Sequence, residues 1–227
     1  MTNRERRSYA VLNFHPTGFA KHIIAFSLRV ALATELFYTR KMASEPIFPK
    51  LTAEEFLEIE FPSDRRFELD RGVIRAMGGG TVAHSRVQAN LFGALFVGLQ
   101  ASKCNAFGPD MGVRTGASSI RYPDISVYCG DQTSSENDEE KALDDPMVLI
   151  EVLSPSTRKE DESTKLAEYR ALPSVQAIIF VDPAAEAFRL IERLDEDSWR
   201  DSLIRNGSDL ILSALGLTIP YAEIFAR

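Results

Sequence analysis

The sequence predicts an α/β protein in which a mixed central β-sheet is flanked by helices. The apolar run MVLIEVL (147–153) has the composition of a strand buried on both faces. A helical segment follows it and ends at Pro173, and a second apolar run, VQAIIFVD (175–182), comes next. These three segments form a strand–helix–strand unit, and shorter alternating segments around it predict antiparallel neighbours.

The elements before this unit are a short helix, a hairpin and a long helix. Thr52-Ala53-Glu54-Glu55 is a capping box and begins the short helix, which ends by Pro62. Runs 66–70 and 73–77 are β-prone and are joined by a turn at Arg71-Gly72. A glycine run, GGG (78–80), lacks the spacing of a phosphate loop and leads into the long helix. That helix is predicted from an apolar stripe at Val87, Leu91, Leu95 and Leu99.

The remaining segments predict short strands and a closing helix. Residues 130–145 are acidic and polar, which indicates a loop. Residues 219–225 predict a short helix at the end of the chain. The predicted strands are 105–109, 111–115 and 123–128, followed later by an outer pair at 187–194 and 198–204.

Residues 1–41 differ in charge from the rest of the chain. Their net charge is +5, so the remainder carries −12 of the total of −7. Four charged or polar residues interrupt the apolar segment 19–38, which therefore predicts neither a membrane span nor a signal peptide. These interruptions are Lys21, His22, Arg29 and Glu35. A transit peptide is one interpretation, but we favour a start at Met42, with 1–41 a disordered or non-native extension and 42–227 a single domain.

The composition excludes some classes of protein. Hydrophobic residues make up 44% and charged residues 26%, so the chain as a whole is not disordered. Cys104 and Cys129 lie in no CxxC motif or Cys/His cluster. We therefore expect no disulfide, two buried cysteines and a reducing, cytoplasmic location. The acidic balance argues against binding nucleic acid through overall charge, but not against a local basic groove or contact through a divalent cation.

Two acids at predicted buried strands are the candidate site. Asp124 begins the strand DISVY, and Glu151 lies near the end of MVLIEVL. Burying an ionised carboxylate costs several kcal/mol unless it is paired or bound to metal. Two hard oxygen ligands suit Mg²⁺, which could serve the hydrolysis of a phosphodiester. The structural alternative is that Glu151 pairs with Arg158 or another base and that Asp124 caps a turn.

A set of motifs extends beyond these two acids. They are RRFELDRGVIRAM, AHSRV, YPDISVY, LIEVLSPST, KLAEYR and IIFVD. In this combination the chain resembles the Uma-two family of endonucleases, of the PD-(D/E)XK, restriction-endonuclease-like superfamily. The resemblance covers about residues 50–225. It implies a restriction-endonuclease-like fold, a site for Mg²⁺ or Mn²⁺, DNA as substrate, and a homodimer.

Carried over by position, the resemblance implies a role for three residues. Asp124 matches the Asp of the PD element and Glu151 the second acid, and both would bind the metal. The superfamily's lysine usually stands two residues after that acid, where this chain has Leu153. The match falls instead on Lys165, on the following helix, which would orient or deprotonate the attacking water; Lys159 is the reserve. The structural alternative for Lys165 is a pair with Asp161 on a solvated helix face.

The resemblance also indicates two accessory positions. Glu68 matches a family Glu and could add a carboxylate to the metal site, or could instead answer Arg65 or Arg66 in the hairpin. His84 matches a family His at the start of the long helix and could touch phosphate or support a metal-binding residue, or could merely cap the helix or bond locally. Tyr169 we interpret as core packing. The acids that flank the hairpin Gly in the family are replaced here by Arg71 and Val73. This departure weakens the role inferred for Glu68 but does not involve Asp124, Glu151 or Lys165.

The predicted function is therefore a metal-dependent endonuclease that hydrolyses DNA phosphodiester bonds. The alternative is a non-catalytic module that keeps the nuclease fold for binding or regulation. A phosphohydrolase for small nucleotides is a third hypothesis.

Overall fold

The structure, a computed structural model, describes residues 50–62, 64–154, 161–205 and 207–227. The predicted extension at 1–41, the start at Met42, Arg158 and Lys159 lie outside the described residues. Within that part of the chain, no helix is long and apolar enough to cross a membrane.

The described residues form short helices, one long helix and many strands. The helices are α1 (Ala53–Leu57), α2 (Val82–Leu99), α3 (Leu166–Ala171) and α4 (Tyr221–Ile224), and a π-helical turn (Asp161–Lys165) directly precedes α3. The strands of the first half are β1 (Phe67–Asp70), β2 (Val73–Ala76), β3 (Cys104–Phe107), β4 (Gly112–Gly116), β5 (Ser119–Arg121) and β6 (Ile125–Cys129). Those of the second half are β7 (Ala142–Leu143), β8 (Val148–Val152), β9 (Ala177–Asp182), β10 (Ala187–Arg193), β11 (Trp199–Ile204), β12 (Leu210–Leu212) and β13 (Leu217–Ile219).

A six-stranded mixed sheet is the centre of the fold, in the order β11-β10-β9-β8-β6-β3. β8 and β9 run parallel, and the other neighbouring pairs are antiparallel. Every residue of β8 is buried, as its continuous apolar run predicts. The predicted α/β class, mixed sheet and strand–helix–strand unit are confirmed.

Helices cover both faces of this sheet. The predicted stripe of α2 (Val87, Leu91, Leu95 and Leu99) is buried against one face, with Val148, Ile150 and Val152 of β8 in the same core. Leu166 and Tyr169 of α3 pack on the other face, in a second core with Leu149 and Leu153. Alternate residues of β8 therefore serve different cores, because successive side chains of a strand point to opposite faces.

A second sheet of five strands, in the order β2-β1-β5-β4-β7, was not predicted. It contains the predicted hairpin, in which Asp70 pairs with Val73. Arg71 (φ 49°) and Gly72 (φ 82°) form its turn in the left-handed region, as a two-residue hairpin requires. Neither β5 nor β7 was predicted, and β7 lies in the acidic segment that indicated a loop.

Two further expectations are wrong. Cys104 and Cys129 face each other across β3 and β6 and form a disulfide, and both are only partly buried. Sequence spacing could not show this contact, because the two strands pair across a separation of 25 residues. At the end of the chain, Ile219 closes β13, which pairs with β12, so the helix α4 begins only at Tyr221.

Candidate active site

The two predicted acids lie side by side on neighbouring strands. Ile125 of β6 pairs with Ile150 of β8, so the antiparallel register places Asp124 opposite Glu151. The Asp124 carboxylate accepts a hydrogen bond at its Oδ2 from the Val152 backbone N–H, at 2.7 Å. This bond fixes Asp124 against the end of β8, so the partner of its carboxylate is a strand residue and not the turn that the sequence left open.

Glu151 is 4% exposed, and its carboxylate is held by two side chains from the next helical segment. The Lys165 Nζ donates to Glu151 Oε1 at 3.0 Å, and the Tyr169 hydroxyl donates to the same oxygen at 2.6 Å. A cation and a hydroxyl donor together offset much of the cost of keeping a buried carboxylate ionised.

Lys165 is 6% exposed, so the alternative of a solvated helix face is wrong. It closes the π-helical turn and is followed at once by α3. π-Helical turns are rare and occur often at functional sites, where the wider turn changes the direction of a side chain. Tyr169 is fully buried in the core, as interpreted, but its hydroxyl also contacts the site.

The first turns of α2 hold Asp124 from the other side. The His84 Nε2 lies 3.2 Å from Asp124 Oδ2, so this predicted residue is brought to the site. Gln88, one turn later, donates to the Asp124 backbone carbonyl at 3.1 Å. Thr81 caps the helix by accepting a hydrogen bond from the His84 backbone N–H. Gln88 was missed, because an amide on a helix face carries no sequence signal of its target.

Glu68 is buried on β1 and pairs with an arginine that the sequence analysis did not single out. Its Oε1 accepts from Arg121 Nη1 at 2.8 Å, so the expected partners Arg65 and Arg66 are wrong. Its Oε2 is also buried, and no described residue donates a hydrogen bond to it. Glu68 thus keeps one oxygen for a further ligand.

Arg121 is fully buried and joins three acids from two elements, β1 and α3. Beyond Glu68, it donates to Asp70 on β1 at 2.9 Å and to Glu168 on α3 at 2.7 and 2.8 Å. Burial acts to lower the pKa of Arg121, but the bond to Glu168 and the charges of all three acids raise that pKa above its usual range. We call Arg121 and its three acids the Arg121 cluster. Because Glu168 lies three residues after Lys165, the cluster also fixes the helical segment that supplies the lysine.

A cavity of about 520 Å³ opens onto these residues. Asp124, Glu151, Lys165, Glu68 and His84 all border it, so the structure brings together all five residues predicted from the sequence. A larger cavity of about 770 Å³, beside the acidic segment, contains none of them. Convergent polar and charged groups make the smaller cavity the candidate site.

The donor set of this cavity fits one kind of metal ion. Within the described ranges, no three or more His, Cys, Asp or Glu side chains are grouped closely enough to hold an ion by themselves. Mg²⁺ does not need such a cage, because it keeps several waters and is bound by one or two carboxylates together with substrate phosphates. Asp124 and Glu151, two carboxylates on adjacent strands, would suit such an ion.

Comparison with known proteins agrees with the fold and with the earlier resemblance. A family model named Uma2, described as "Putative restriction endonuclease", matches residues 53–222. Two uncharacterized proteins of Synechocystis sp. are similar to this chain. The protein slr1290 is 27% identical over 179 residues, which are 78% of this chain and 93% of that protein. The protein sll1609 is 27% identical over 150 residues, which are 66% of this chain and 84% of that protein. The crystal structure of "a putative nuclease belonging to DUF820" from Anabaena variabilis superposes with a TM-score of 0.62 at 17% identity. The superposition covers 78% of this chain and 98% of that one, and it shows the shared fold.

Proposed function

This chain belongs to the Uma2 family, and from that premise we propose that it is a Mg²⁺-dependent endonuclease that hydrolyses DNA phosphodiester bonds. The observation that carries the proposal is the group of Asp124, Glu151 and buried Lys165 at one cavity. A structural ion pair alone would not need a cavity, nor a second carboxylate on the adjacent strand.

The charge of the group argues for a cation in the reaction. Two carboxylates face one ammonium group, so without a metal these three groups carry a net negative charge at the point where a phosphodiester would react. Mg²⁺ or Mn²⁺, held by Asp124 and Glu151, would supply positive charge to the transition state and make a bound water more acidic.

The chain's own residues would position these groups. The Val152 N–H and His84 orient Asp124, while Lys165 and Tyr169 orient Glu151. The Lys165 ammonium lies within reach of the same cavity, where it would align the attacking water and offset negative charge on the phosphate.

Glu68 and His84 would act in support. The second oxygen of Glu68 is buried beside the cavity and would accept a hydrogen bond from a water or a metal-bound ligand. His84 would hold Asp124 through its Nε2, and its ring borders the cavity where a phosphate oxygen would approach. A homodimer, with one site for each DNA strand, completes the proposal as a prediction.

The test is cleavage of plasmid and single-stranded DNA by the purified protein in Mg²⁺ or Mn²⁺, with an EDTA control. We expect cutting that needs the metal and is lost in Asp124→Asn, which keeps the shape of the side chain. Glu223→Gln is the matched control, because it removes an exposed carboxylate on α4 and should cut normally.

The same preparations separate the alternatives. A folded protein that binds metal but cuts no DNA would contradict the proposal. Hydrolysis of small nucleotides by that protein would then favour the phosphohydrolase, and its absence would favour the non-catalytic module.

A further inference from the structure

Three consecutive glycines, Gly78–Gly80, line the candidate cavity between the β1–β2 hairpin and α2. Glycine is usually required where φ is positive or where another atom approaches too closely for a Cβ. Neither reason applies to Gly78 and Gly79. Neither φ angle is positive, and an added Cβ would meet no atom of the described residues within 4 Å.

Gly80 differs from the other two. A Cβ at Gly80 would lie 2.7 Å from Nδ1 of His84, so the position of the histidine explains this glycine. Gly78 and Gly79 are exposed and have no such neighbour. In the free protein they cost conformational entropy, since alanine at a compatible position stabilises a fold. That cost, at the edge of the candidate site, indicates a requirement imposed by a bound molecule.

The surroundings indicate the chemistry of that molecule. Arg66 and Arg75 border the same cavity, and each side chain is 57% exposed. Arg75 is bonded to buried Asp70 at 2.6 Å, whereas the ion pair of Arg66 among the described residues is with Asp110, which is 86% exposed. An exposed ion pair of this kind is weak, so Arg66 can exchange its partner for a phosphate at little cost.

We propose that Gly78 and Gly79 form a close-approach surface for the sugar–phosphate backbone of the DNA strand, with Arg66 binding a phosphate beside the scissile one. This inference rests on the proposed function. Without side chains at 78 and 79, the strand can approach the protein backbone closely while its reacting phosphate lies over Asp124 and Glu151. The contact carries no base information, because phosphate contacts fix the register of the nucleic acid rather than its sequence.

The experiment compares Gly78→Ala/Gly79→Ala with Gly93→Ala. Gly93 is an exposed glycine of α2 that does not border the cavity, and its added Cβ also meets no atom within 4 Å in the part of the chain that the structure describes. Each variant is measured by thermal unfolding, by anisotropy of a fluorescein-labelled DNA duplex in Ca²⁺, and by cleavage in Mg²⁺. Both variants should melt above the wild type. Only the double variant should lose duplex affinity, by about tenfold, the loss expected for one weakened contact to a charged group.

Arg66→Gln tests the neighbouring phosphate contact. The slope of log affinity against log salt should fall by about 1. Arg227→Gln removes an exposed ion pair of similar length, 3.0 Å against 3.1 Å, away from the cavity, and should leave the slope unchanged.

The outcomes separate this inference from the function on which it rests. A wild type that binds and cuts DNA, beside a glycine variant that does both equally well, overturns the inference alone. A glycine variant that melts below the wild type also overturns it, because the fold itself would then need those glycines. A wild type that neither binds nor cuts DNA overturns the proposed function, and the inference with it.

Discussion

Replacement of Arg121 by methionine should destabilise the protein by about 3–5 kcal/mol at neutral pH, as expected when one partner of a buried ion pair is removed. The guanidinium is fully buried and is the shared partner of Glu68, Asp70 and Glu168. Methionine fills much of the space but leaves these carboxylates without their common cation. For a domain of this size the loss corresponds to a fall in melting temperature of roughly 10 °C.

The loss should depend on pH in a defined direction. Burial acts to raise the pKa of Asp70, but the hydrogen bond from Arg75 and the charges of Arg121, Arg75 and Arg71 hold that pKa below its usual range. A carboxyl whose pKa is lowered by folding stabilises the protein above its unfolded pKa, near 4, and this contribution is lost as the pH falls through the folded value. The wild type should therefore lose more stability on acidification than Arg121→Met, and the difference between them should narrow below about pH 4.

Urea unfolding followed by circular dichroism at pH 7 and pH 3 measures both effects. Arg66→Met is the control, because the Arg66–Asp110 pair is exposed and its removal should cost less than about 1 kcal/mol at either pH. A loss below about 1 kcal/mol in Arg121→Met, or a gap between it and the wild type that does not change with pH, would refute the reasoning.

Three further changes test other contacts. Lys165→Ala should keep Mg²⁺ binding, measured by calorimetry, and lose DNA cleavage. Full cleavage activity in this variant would show that another residue has the catalytic role. Tyr169→Phe keeps the buried ring but removes the 2.6 Å bond to Glu151, so Mg²⁺ affinity should fall about 10-fold or more, and an unchanged affinity would contradict a positioning role. Reduction of Cys104–Cys129 opens a loop with a separation of 25 residues and should cost about 3 kcal/mol in urea unfolding, whereas the Cys104→Ser/Cys129→Ser protein should not respond to reductant.

The sequence predicted the elements whose signals are local. The stripe from Val87 to Leu99 and the runs around Glu151 and Ile179 are readable because helix and strand periods determine which residues face the core. The acid pair was predictable for a related reason, since a carboxylate in an otherwise apolar strand is costly unless it has a partner.

What could not be predicted depends on contacts between distant parts of the chain. Arg121 ends a three-residue strand, and nothing in SIRYPD indicates that its side chain meets acids 51, 53 and 47 residues away. The disulfide depends in the same way on the pairing of β3 with β6. Turns and hairpins can be predicted from neighbouring residues, but which strands pair in the second sheet depends on residues far apart in the sequence.

The position of the lysine follows from the geometry of β8. Glu151 and Leu153 are two residues apart and point to the same face, where Leu153 packs in the core that contains Leu166 and Tyr169 of α3. In the layout typical of the superfamily, a lysine at 153 would reach the acid along the strand. Here Lys165 reaches Glu151 across the interface, from the segment that packs over it, so leucine at 153 completes a core without removing the cation. The position of the Lys165 ammonium group therefore depends on the position of α3. Arg121 binds Glu168 and so holds α3 beside the acids of β1. The buried arginine and Lys165 are therefore parts of one arrangement, in which the segment packed over β8 supplies the cation beside Glu151.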